Sequence, residues 1–188
     1  MTAPPRTDAP SLSPTQLAET ARRFAGRTAL WSPRVRFTAE ERFYARLART
    51  PAFEIWLLTW LPGQGTEIHD HGGSSGAFCV VQGELTERTF TPRAAGRPSP
   101  WRLPTESIRA FGPRHIHEVR NDGAAPAVSI HAYSPALATM SYYRQLPGHG
   151  GIALVRTSAV DDADGLDSPD GLLEPDGREG LPGLGEPA

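Results

Sequence analysis

The sequence contains a single cysteine, Cys79, among its 188 residues. One thiol cannot form an internal disulfide and cannot supply a cysteine-rich zinc site. Any metal that the chain binds must therefore be held by imidazoles or carboxylates, which makes the six histidines the first candidates. Because Cys79 itself lies within an apolar run, we expect it to be a small core residue.

Lysine is missing altogether, so every basic side chain is an arginine, and the formal net charge is only -2. No segment concentrates these arginines into a stripe, so charge gives no reason to expect nucleic acid as a partner. No apolar run is long enough to cross a bilayer, and no stretch resembles a signal peptide. We therefore expect a cytoplasmic protein with neither nucleic-acid nor membrane partners.

The two ends of the chain lack the periodic apolar residues of a packed element. Residues 1–12 are rich in Pro, Thr and Ala, and residues 158–188 are rich in Asp, Glu, Gly and Pro with scattered Leu. Such compositions bury too little apolar surface to offset chain entropy. We expect a flexible arm, one domain over residues 13–157, and a disordered acidic tail that is either a solvated extension or a partner-binding segment.

Helical signals occur only in the first part of this domain. A Ser-Pro pair at residues 13–14 precedes apolar residues at helical spacing, Leu17, Ala21 and Phe24, and Gly26 is a stop signal. A second helical segment is predicted over residues 38–48. The sequence therefore places its helices before the rest of the fold.

Beyond residue 53 the pattern changes to short apolar runs separated by Gly, Pro and Asn-Asp-Gly. The runs that we interpret as strands are residues 54–61, 76–81, 85–91, 107–111, 117–120 and 127–133. Many short strands at close intervals predict a mainly β fold, either a sandwich or a barrel. The Asp122-Gly123 turn signal predicts a hairpin that places His117 and His131 on adjacent strands.

Two histidines are separated by one residue, His69 and His71. Alternate residues of an extended segment point to the same side, so both imidazoles can reach one metal ion. The pair alone does not identify a metal site, because such pairs also occur by chance in loops. Further along, His115 and His117 are rival candidates for a third ligand, since they share a face if that segment is extended.

Glycines at fixed intervals frame the first pair. Five residues separate Gly63 from His69, and Gly83 follows at the spacing of the first cupin motif, which this segment resembles. Where that motif has a glutamate, this sequence has Gly76. The second motif ends in His, three residues and Asn, which His117 and Asn121 match, so the resemblance favours His117 over His115 as third ligand.

The resemblance implies a cupin, a jelly-roll-like β-barrel, with N-terminal helices and a metal bound by His69, His71 and His117. A glycine in place of the glutamate leaves three neutral imidazoles and open coordination positions. Such a set suits a redox metal that must bind both a substrate and oxygen, and we expect iron(II), Fe(2+). A structural or storage role would favour a closed ligand shell.

The finer pattern from residue 44 to residue 144 resembles the cysteine dioxygenases. The resemblance is carried by YAR (44–46), IHDH (68–71), VQGELTE (81–87), HEVRN (117–121) and SIHAYSP (129–135). It implies an iron(II) enzyme, expected to be a monomer, that oxidises the thiol of L-cysteine with O2 to cysteine sulfinate and needs no organic cofactor. Because Gly76 replaces the cysteine that animal members cross-link to Tyr133, the resemblance is to the bacterial type.

The resemblance also implies residue roles. Arg46 would bind the substrate carboxylate and Tyr44 would add a hydroxyl, although on charge alone Arg42 and Arg49 are equal candidates. Ser129, His131 and Tyr133 alternate, so a strand would present all three to one face beside the iron. Buried hydroxyls and imidazoles need hydrogen-bond partners, which either a relay ending at Tyr133 or simple mutual bonding would provide.

Three other functions are compatible with parts of this pattern. A 3-mercaptopropionate dioxygenase would share fold, metal and chemistry, but those relatives have Gln where Arg46 stands. A non-catalytic cupin would be expected to lose a metal ligand or part of the row of Ser129, His131 and Tyr133, and neither is lost. A cupin isomerase or sugar enzyme using zinc or manganese would usually keep the glutamate that Gly76 replaces.

Overall fold

The computed structural model describes residues 11–92, 98–147 and 151–160. Within these ranges, helices come first and strands follow. The helices are α1 (Pro14–Gly26), α2 (Thr28–Trp31) and a 3-10 turn (Ser32–Arg34). The strands are β1 (Tyr44–Arg49), β2 (Glu54–Trp60), β3 (Ile68–His69), β4 (Ser75–Gln82), β5 (Glu84–Phe90), β6 (Trp101–Pro104), β7 (Ile108–Phe111), β8 (Ile116–Arg120), β9 (Ala127–Ser134), β10 (Thr139–Gln145) and β11 (Ile152–Ala159).

Helix α1 begins and ends as the sequence predicts. The Ser13 hydroxyl accepts a hydrogen bond from the backbone N–H of Gln16, and the Gln16 side chain accepts one from the backbone N–H of Ser13. This reciprocal capping satisfies two N–H groups that the first helical turn would otherwise leave unpaired. The helix buries Leu17 and Ala21 completely, so its apolar face is held against the domain.

The strands form two antiparallel sheets. The five-stranded sheet has the order β1-β2-β9-β4-β7, and the six-stranded sheet has the order β11-β10-β3-β8-β5-β6. The prediction of a mainly β, jelly-roll-like fold is confirmed, and the sheets are not closed into a barrel. In the part of the chain that the structure describes, no ladder joins an edge strand of one sheet to an edge strand of the other, so the fold is an open, jelly-roll-like pair of facing sheets.

Apolar side chains fill two layers. Between the sheets, Trp60, Phe78 and Val80 of the five-stranded sheet pack with Leu85 and Val119 of the six-stranded sheet. The alternate residues of the five-stranded sheet point the other way and pack against α1. Strand β2 is buried over its whole length because both of its faces are covered.

The outer layer lies between the five-stranded sheet and α1. It includes Leu57, Cys79 and Ile130 from the sheet and Leu17 from the helix. Cys79 is 5% exposed and free, which confirms that it is a small core residue. Burial raises the pKa of its thiol, so it remains an unreactive S–H.

The helix predicted over residues 38–48 is wrong. Residues Tyr44–Arg49 form strand β1, which pairs along its length with β2. The local preference of this segment for helix is overridden because the exposed edge of β2 offers backbone hydrogen bonds and a buried surface. The six predicted strands all exist, whereas β1, β3, β6, β10 and β11 were not predicted.

The hairpin predicted around Asp122-Gly123 is also wrong. The turn joins β8 to β9, but these strands belong to different sheets. The side chain of Asn121 builds the turn: its Oδ1 accepts from the N–H of Gly123 at 3.0 Å, and its Nδ2 donates to the carbonyls of Trp60 and Ala125. The chain therefore crosses from one sheet to the other here.

Residues just outside the predicted domain of residues 13–157 also make backbone hydrogen bonds. The backbone N–H of Leu12 donates to Ser134 Oγ at 2.8 Å, and Ser158 and Ala159 are paired residues of β11. Residues 1–10 and 161–188, which make up most of the predicted arm and tail, lie outside the described residues. Among the helices of the described ranges, none combines the length and the apolar character needed to cross a membrane.

Candidate metal centre and adjoining cavity

Three buried histidines meet on the inner side of the six-stranded sheet. His69 ends β3 and lies directly opposite His117 of β8 across the ladder, and His71 follows two residues later in a loop. Their ring centroids are 4.8 to 5.1 Å apart, and one nitrogen from each lies within 4.8 Å of the others. The structure therefore brings together all three residues that the sequence predicts as metal ligands.

The loop that carries His71 is held by Asp70. One carboxylate oxygen of Asp70 accepts from the Tyr143 hydroxyl at 2.6 Å, and the other accepts from the N–H of Gly72 at 2.9 Å. Gly72 has a φ of 57°, and a Cβ at this position would lie 2.2 Å from the Thr139 hydroxyl, so only glycine fits without displacing β10. These contacts keep His71 turned towards the other two imidazoles.

All three imidazoles are held in the neutral form that metal binding requires. Burial lowers the pKa of His69 to about 3, with a further contribution from neighbouring His117. Burial and the adjacent imidazoles also hold the pKa of His71 well below its ordinary value. The pKa of His117 is lowered by burial as well, so none of the three is a charged imidazolium at neutral pH.

The donor atoms themselves fit a metal ion. The Nδ1 of His69 and the Nδ1 of His117 are occupied by hydrogen bonds to the Glu67 carbonyl and to Glu87, which leaves the Nε2 of each ring as the ligand atom. The Nε2 of His71 is buried and has no hydrogen-bond partner. A neutral imidazole nitrogen buried without a partner is unfavourable unless it binds a ligand, so three nitrogens are available for one cation.

A cavity of about 470 Å³ opens beside this group. Its size is that of small-molecule pockets, which are roughly 300–1,000 Å³. It is lined on one side by His69 and His117 and on the other by His131, Tyr133 and side chains of β1 and β2. Trp60 and Met140 also line it.

Buried polar atoms without partners are concentrated around the cavity. Among the described residues, the buried side-chain nitrogens that have no hydrogen bond are Nε and Nη1 of Arg42, Nε1 of Trp56 and Nε2 of His71. Arg42 and Trp56 line the cavity, and His71 belongs to the histidine group. Buried polar groups in folded proteins are almost always paired, so this group of atoms indicates that a polar ligand binds here.

Arg42 is among the residues that line the cavity, whereas Arg46 is not. Arg42 precedes β1, and its guanidinium lies over the Trp60 ring, 4.5 Å from the centroid. Burial lowers its pKa, but an arginine still carries its charge at neutral pH. Arg46 pairs with Trp56 across the ladder and lies over the ring of Trp56 at 5.5 Å, outside the set of residues that line the cavity.

Tyr44, the predicted second donor to the substrate carboxylate, also lines the cavity. It lines the cavity with its ring 6.0 Å from that of Trp56, and 43% of the residue remains exposed. Tyr44 is therefore at the mouth of the cavity, while Trp56 and Arg42 lie deeper. A ligand entering from solvent would pass the Tyr44 hydroxyl before it reaches the arginine.

The predicted row on β9 is present and fully hydrogen bonded. Trp60 Nε1 donates to Ser129 Oγ at 2.9 Å, Ser129 Oγ is 2.8 Å from His131 Nε2, and His131 Nδ1 is 3.2 Å from the Tyr133 hydroxyl. The Trp60 indole can only donate. Because Ser129 Oγ accepts from Trp60, its own proton is available to donate to His131 Nε2. Neutral His131 then donates from Nδ1 to the Tyr133 oxygen.

This direction leaves the Tyr133 proton free to point into the cavity. Burial raises the pKa of Tyr133 and holds the pKa of His131 well below its ordinary value, so the tyrosine remains a phenol and the histidine remains neutral. The row is therefore more than a set of side chains that satisfy one another. It ends in a hydrogen-bond donor beside the metal group.

A carboxylate that the sequence did not single out lies behind the metal group. Glu87 of β5 is fully buried. Its Oε1 accepts from His117 Nδ1 at 2.7 Å and from His115 Nε2 at 3.0 Å, and its Oε2 accepts from Arg109 Nε at 2.5 Å. Burial alone would raise the pKa of Glu87, but these three hydrogen bonds lower it well below its usual range, so the carboxylate is ionised.

The sequence did not single out Glu87. It left Arg42 as one of three equally charged candidates for binding the substrate carboxylate. Glu87 could have been found, because it follows Leu85 by two residues on a strand and must therefore share the buried face of that leucine. Arg42 gave no such signal, since its position depends on where the chain enters β1. His115, the rival third ligand, bonds Glu87 instead of joining the histidine group of His69, His71 and His117.

The position of Gly76 explains why the glutamate of the cupin motif is absent. A Cβ at this position would lie 2.5 Å from the Phe111 ring and 3.0 Å from the Tyr133 ring. Phe111 stacks on His71 with centroids 5.0 Å apart. Phe111 thus fills the space beside His71, and a fourth side-chain ligand from residue 76 has no room.

Comparison with known proteins identifies relatives. A family model described as "Cysteine dioxygenase type I" matches residues 16–146. The chain is 34% identical over 104 residues to cysteine dioxygenase type 1 of Homo sapiens and 30% identical over 105 residues to that of Danio rerio, with 52% of each chain covered. It thus spans about half the length of the curated relatives it matches.

Among solved structures, a protein with a double-stranded beta-helix domain from Klebsiella pneumoniae is 20% identical. The match covers 66% of this chain and 93% of that chain with a TM-score of 0.48. The match to the cysteine dioxygenase type I family model confirms the predicted cupin fold.

Proposed function

Since the chain belongs to the cysteine dioxygenase type I family, we propose that it is an iron(II)-dependent dioxygenase that converts the thiol of L-cysteine to a sulfinate with O2. The observation that supports this most directly is that an open three-histidine group adjoins a cavity lined by a charged guanidinium with two nitrogens that lack hydrogen bonds. Together they would hold a small molecule that carries both a metal-binding thiolate and a carboxylate.

The metal is the first part of the proposal. His69, His71 and His117 would hold iron(II) through Nε2 atoms, and three imidazole ligands with room for further ligands suit a divalent metal that must bind substrate. When bound, iron(II) would bind the thiolate and O2 together and allow both oxygen atoms to pass to sulfur. The chain supplies neutral ligands because burial keeps the three histidines unprotonated.

The carboxylate of the substrate is assigned to Arg42 instead of Arg46. The guanidinium of Arg42 has two buried nitrogens without partners, Nε and Nη1, and a planar guanidinium can bind both oxygens of a carboxylate. The Tyr44 hydroxyl at the cavity mouth would add a third donor. This orientation directs the other end of a short thiol acid towards the histidines.

Tyr133 would act on the reacting end. Its hydroxyl lies at the end of the row from Ser129 through His131, and its proton is free to donate into the cavity. Such a donor stabilises negative charge that develops on oxygen during transfer to sulfur. Ser129 and His131 would hold the Tyr133 hydroxyl in this orientation without touching the substrate.

The nearest alternative is 3-mercaptopropionate, which has the same thiol and carboxylate but no amine. Relatives that act on 3-mercaptopropionate have Gln at the position of Arg46, but Arg46 is not among the residues that line the cavity. Arg42 would bind either carboxylate, so the choice depends on the amine. We retain cysteine because the family match is to cysteine dioxygenases. The proposal includes a cytoplasmic location, where thiols stay reduced.

Oxygen uptake tests the proposal. The full chain would be loaded anaerobically with iron(II) and given L-cysteine, 3-mercaptopropionate or cysteamine, which lacks the carboxylate, with mass spectrometry of the products. We expect rapid uptake with L-cysteine, a product that gains two oxygen atoms, and little turnover of cysteamine. Preference for 3-mercaptopropionate would change the substrate, and no uptake with any thiol despite bound iron would refute thiol dioxygenation.

A further inference from the structure

The two histidine ligands on the six-stranded sheet have different partners behind them. His69 Nδ1 donates to the carbonyl of Glu67 at 2.9 Å, a peptide oxygen that carries only a partial charge. His117 Nδ1 donates to the ionised carboxylate of Glu87 at 2.7 Å. A full negative charge behind a ligand makes the imidazole a stronger electron donor than a carbonyl does.

The carboxylate behind His117 is itself restrained. Glu87 is fully buried, and Arg109 occupies its second oxygen at 2.5 Å while His115 shares the first. Arg109 reaches this carboxylate from β7, a strand of the five-stranded sheet, and lies over the Trp101 ring at 5.4 Å. Three donors from separate positions therefore converge on one buried charge, which fixes its position and partly neutralises it.

We propose that Glu87 is a positioning residue that orients His117 and increases its electron donation to the metal, and that Arg109 acts through Glu87 in the opposite direction. The inference rests on the proposed metal centre but not on the identity of the thiol. The Glu87 carboxylate selects the His117 tautomer with the proton on Nδ1, so Nε2 is the atom that faces His69 and His71. Arg109 draws negative charge away from the same carboxylate.

A different interpretation of the cluster is a second metal site, because ligand atoms of Glu87, His115 and His117 also lie within 4.8 Å of one another. The charge pattern argues against it. The guanidinium of Arg109 already occupies one oxygen of Glu87, and a second cation would be placed beside this fixed positive charge. The described cluster is satisfied by hydrogen bonds alone, in contrast to His71.

Removing the negative charge of Glu87 and the positive charge of Arg109 in separate variants tests the proposal most directly, because the two changes should shift the reduction potential in opposite directions. We would prepare the full chain with Glu87→Gln, with Arg109→Gln and with both, load each with iron anaerobically, and measure iron affinity and the Fe(III)/Fe(II) reduction potential without substrate. Glu87→Gln should weaken iron binding roughly 10- to 100-fold, the usual effect of losing a partner behind a ligand. It should also raise the potential, since a negative charge that favours the oxidised ion is lost.

Arg109→Gln should lower the potential, by less than Glu87→Gln raises it, because Arg109 lies farther from the metal. The double variant should resemble Glu87→Gln alone, because Arg109 acts through the carboxylate. A matched control pair starts from the same strand as Glu87: Glu84 of β5 and Arg102 of β6 form an exposed ion pair at 3.5 Å. Glu84→Gln and Arg102→Gln should change neither affinity nor potential.

If Glu87 and Arg109 had a purely structural role, both variants would be less stable, but their reduction potentials would not shift in opposite directions. Potentials that shift the same way, or that do not shift although circular dichroism shows a folded chain, would overturn the proposal. Two iron ions per wild-type chain, reduced to one by His115→Phe, would establish the second metal site instead. Iron binding without thiol oxidation would refute only the proposed function, whereas a wild type that binds no iron would refute both.

Discussion

The five-stranded and six-stranded sheets face the same cavity, yet they bring different groups to it. The six-stranded sheet supplies His69 and His117 with backbone or carboxylate partners behind them. The five-stranded sheet and the chain entering it supply Tyr133 at the end of a hydrogen-bonded row and Arg42 with two nitrogens that have no hydrogen bond. His69 and His117 are thus already hydrogen bonded on their far side, whereas Arg42 and Tyr133 keep N–H and O–H donors open to the cavity.

This difference indicates a division of tasks between the sheets. A metal ligand needs a fixed orientation before the metal arrives, which hydrogen bonds behind it provide. A substrate-binding donor needs a free N–H or O–H, which the protein must leave unsatisfied until the ligand binds. Changes on the six-stranded side should therefore alter metal affinity, and changes on the five-stranded side should alter catalysis with the metal still bound.

The largest effect is expected from replacing one buried histidine on each sheet. His117→Asn removes a ligand and should weaken iron binding by more than about 100-fold, beyond the usual loss of a partner behind a ligand. His131→Asn should keep the iron and lower kcat. Iron titration followed by oxygen uptake measures both. Equal loss of iron from the two variants would contradict the division between the sheets.

The second-largest effect is expected from one of two arginines on the five-stranded side. Arg42→Gln should lower kcat/KM for L-cysteine roughly 100-fold, since charged hydrogen bonds contribute about 1.5–3 kcal/mol. Arg46→Gln, whose guanidinium lies over Trp56 outside the cavity lining, should change kcat/KM less than about threefold. Steady-state oxygen uptake with iron content held equal is the measurement. A larger loss of kcat/KM in Arg46→Gln than in Arg42→Gln would show that Arg46 binds the substrate carboxylate.

Two tyrosines provide a smaller contrast. Tyr133→Phe should lower kcat roughly tenfold by removing one donor of about 1.5 kcal/mol, with unchanged iron affinity. Tyr143→Phe removes the hydroxyl that donates to Asp70 at 2.6 Å, so it should weaken iron binding a few-fold, about 0.5–1.5 kcal/mol, and leave kcat of the loaded enzyme intact. If Tyr133→Phe weakened iron binding instead, the row of Ser129, His131 and Tyr133 would support the metal and not the substrate.

The smallest effect on activity is expected from the outer layers. Leu17→Ala creates a cavity between α1 and the five-stranded sheet and should lower the free energy of unfolding by about 2–5 kcal/mol. Leu154→Ala on β11 of the six-stranded sheet, where the residue is 59% exposed, should change it by less than about 0.5 kcal/mol. Urea unfolding measures both. Loss of iron affinity in Leu17→Ala would show that α1 supports the metal side as well.

Part of this organisation was predictable because it depends on local pattern. The capping residues and apolar spacing of α1 gave its limits, and six short apolar runs gave β2, β4, β5, β7, β8 and β9. The His-x-His pair, the third histidine and the Ser-His-Tyr alternation are spacings along extended chain, so they were visible before the fold. Strand β1 was not, since its helix-forming residues become a strand only by pairing with β2.

The sequence by itself determined which residue types could form a site: imidazoles without cysteines, a glycine where a fourth ligand would stand, and an alternating hydroxyl-imidazole-phenol row. Only the tertiary structure decided which arginine faces the cavity, and that Glu87, His115 and Arg109 meet behind His117. The reason is physical. Alternation along a strand is a local property of the backbone, whereas contacts between separate strands depend on sheet order, register and the path of the chain entering each strand.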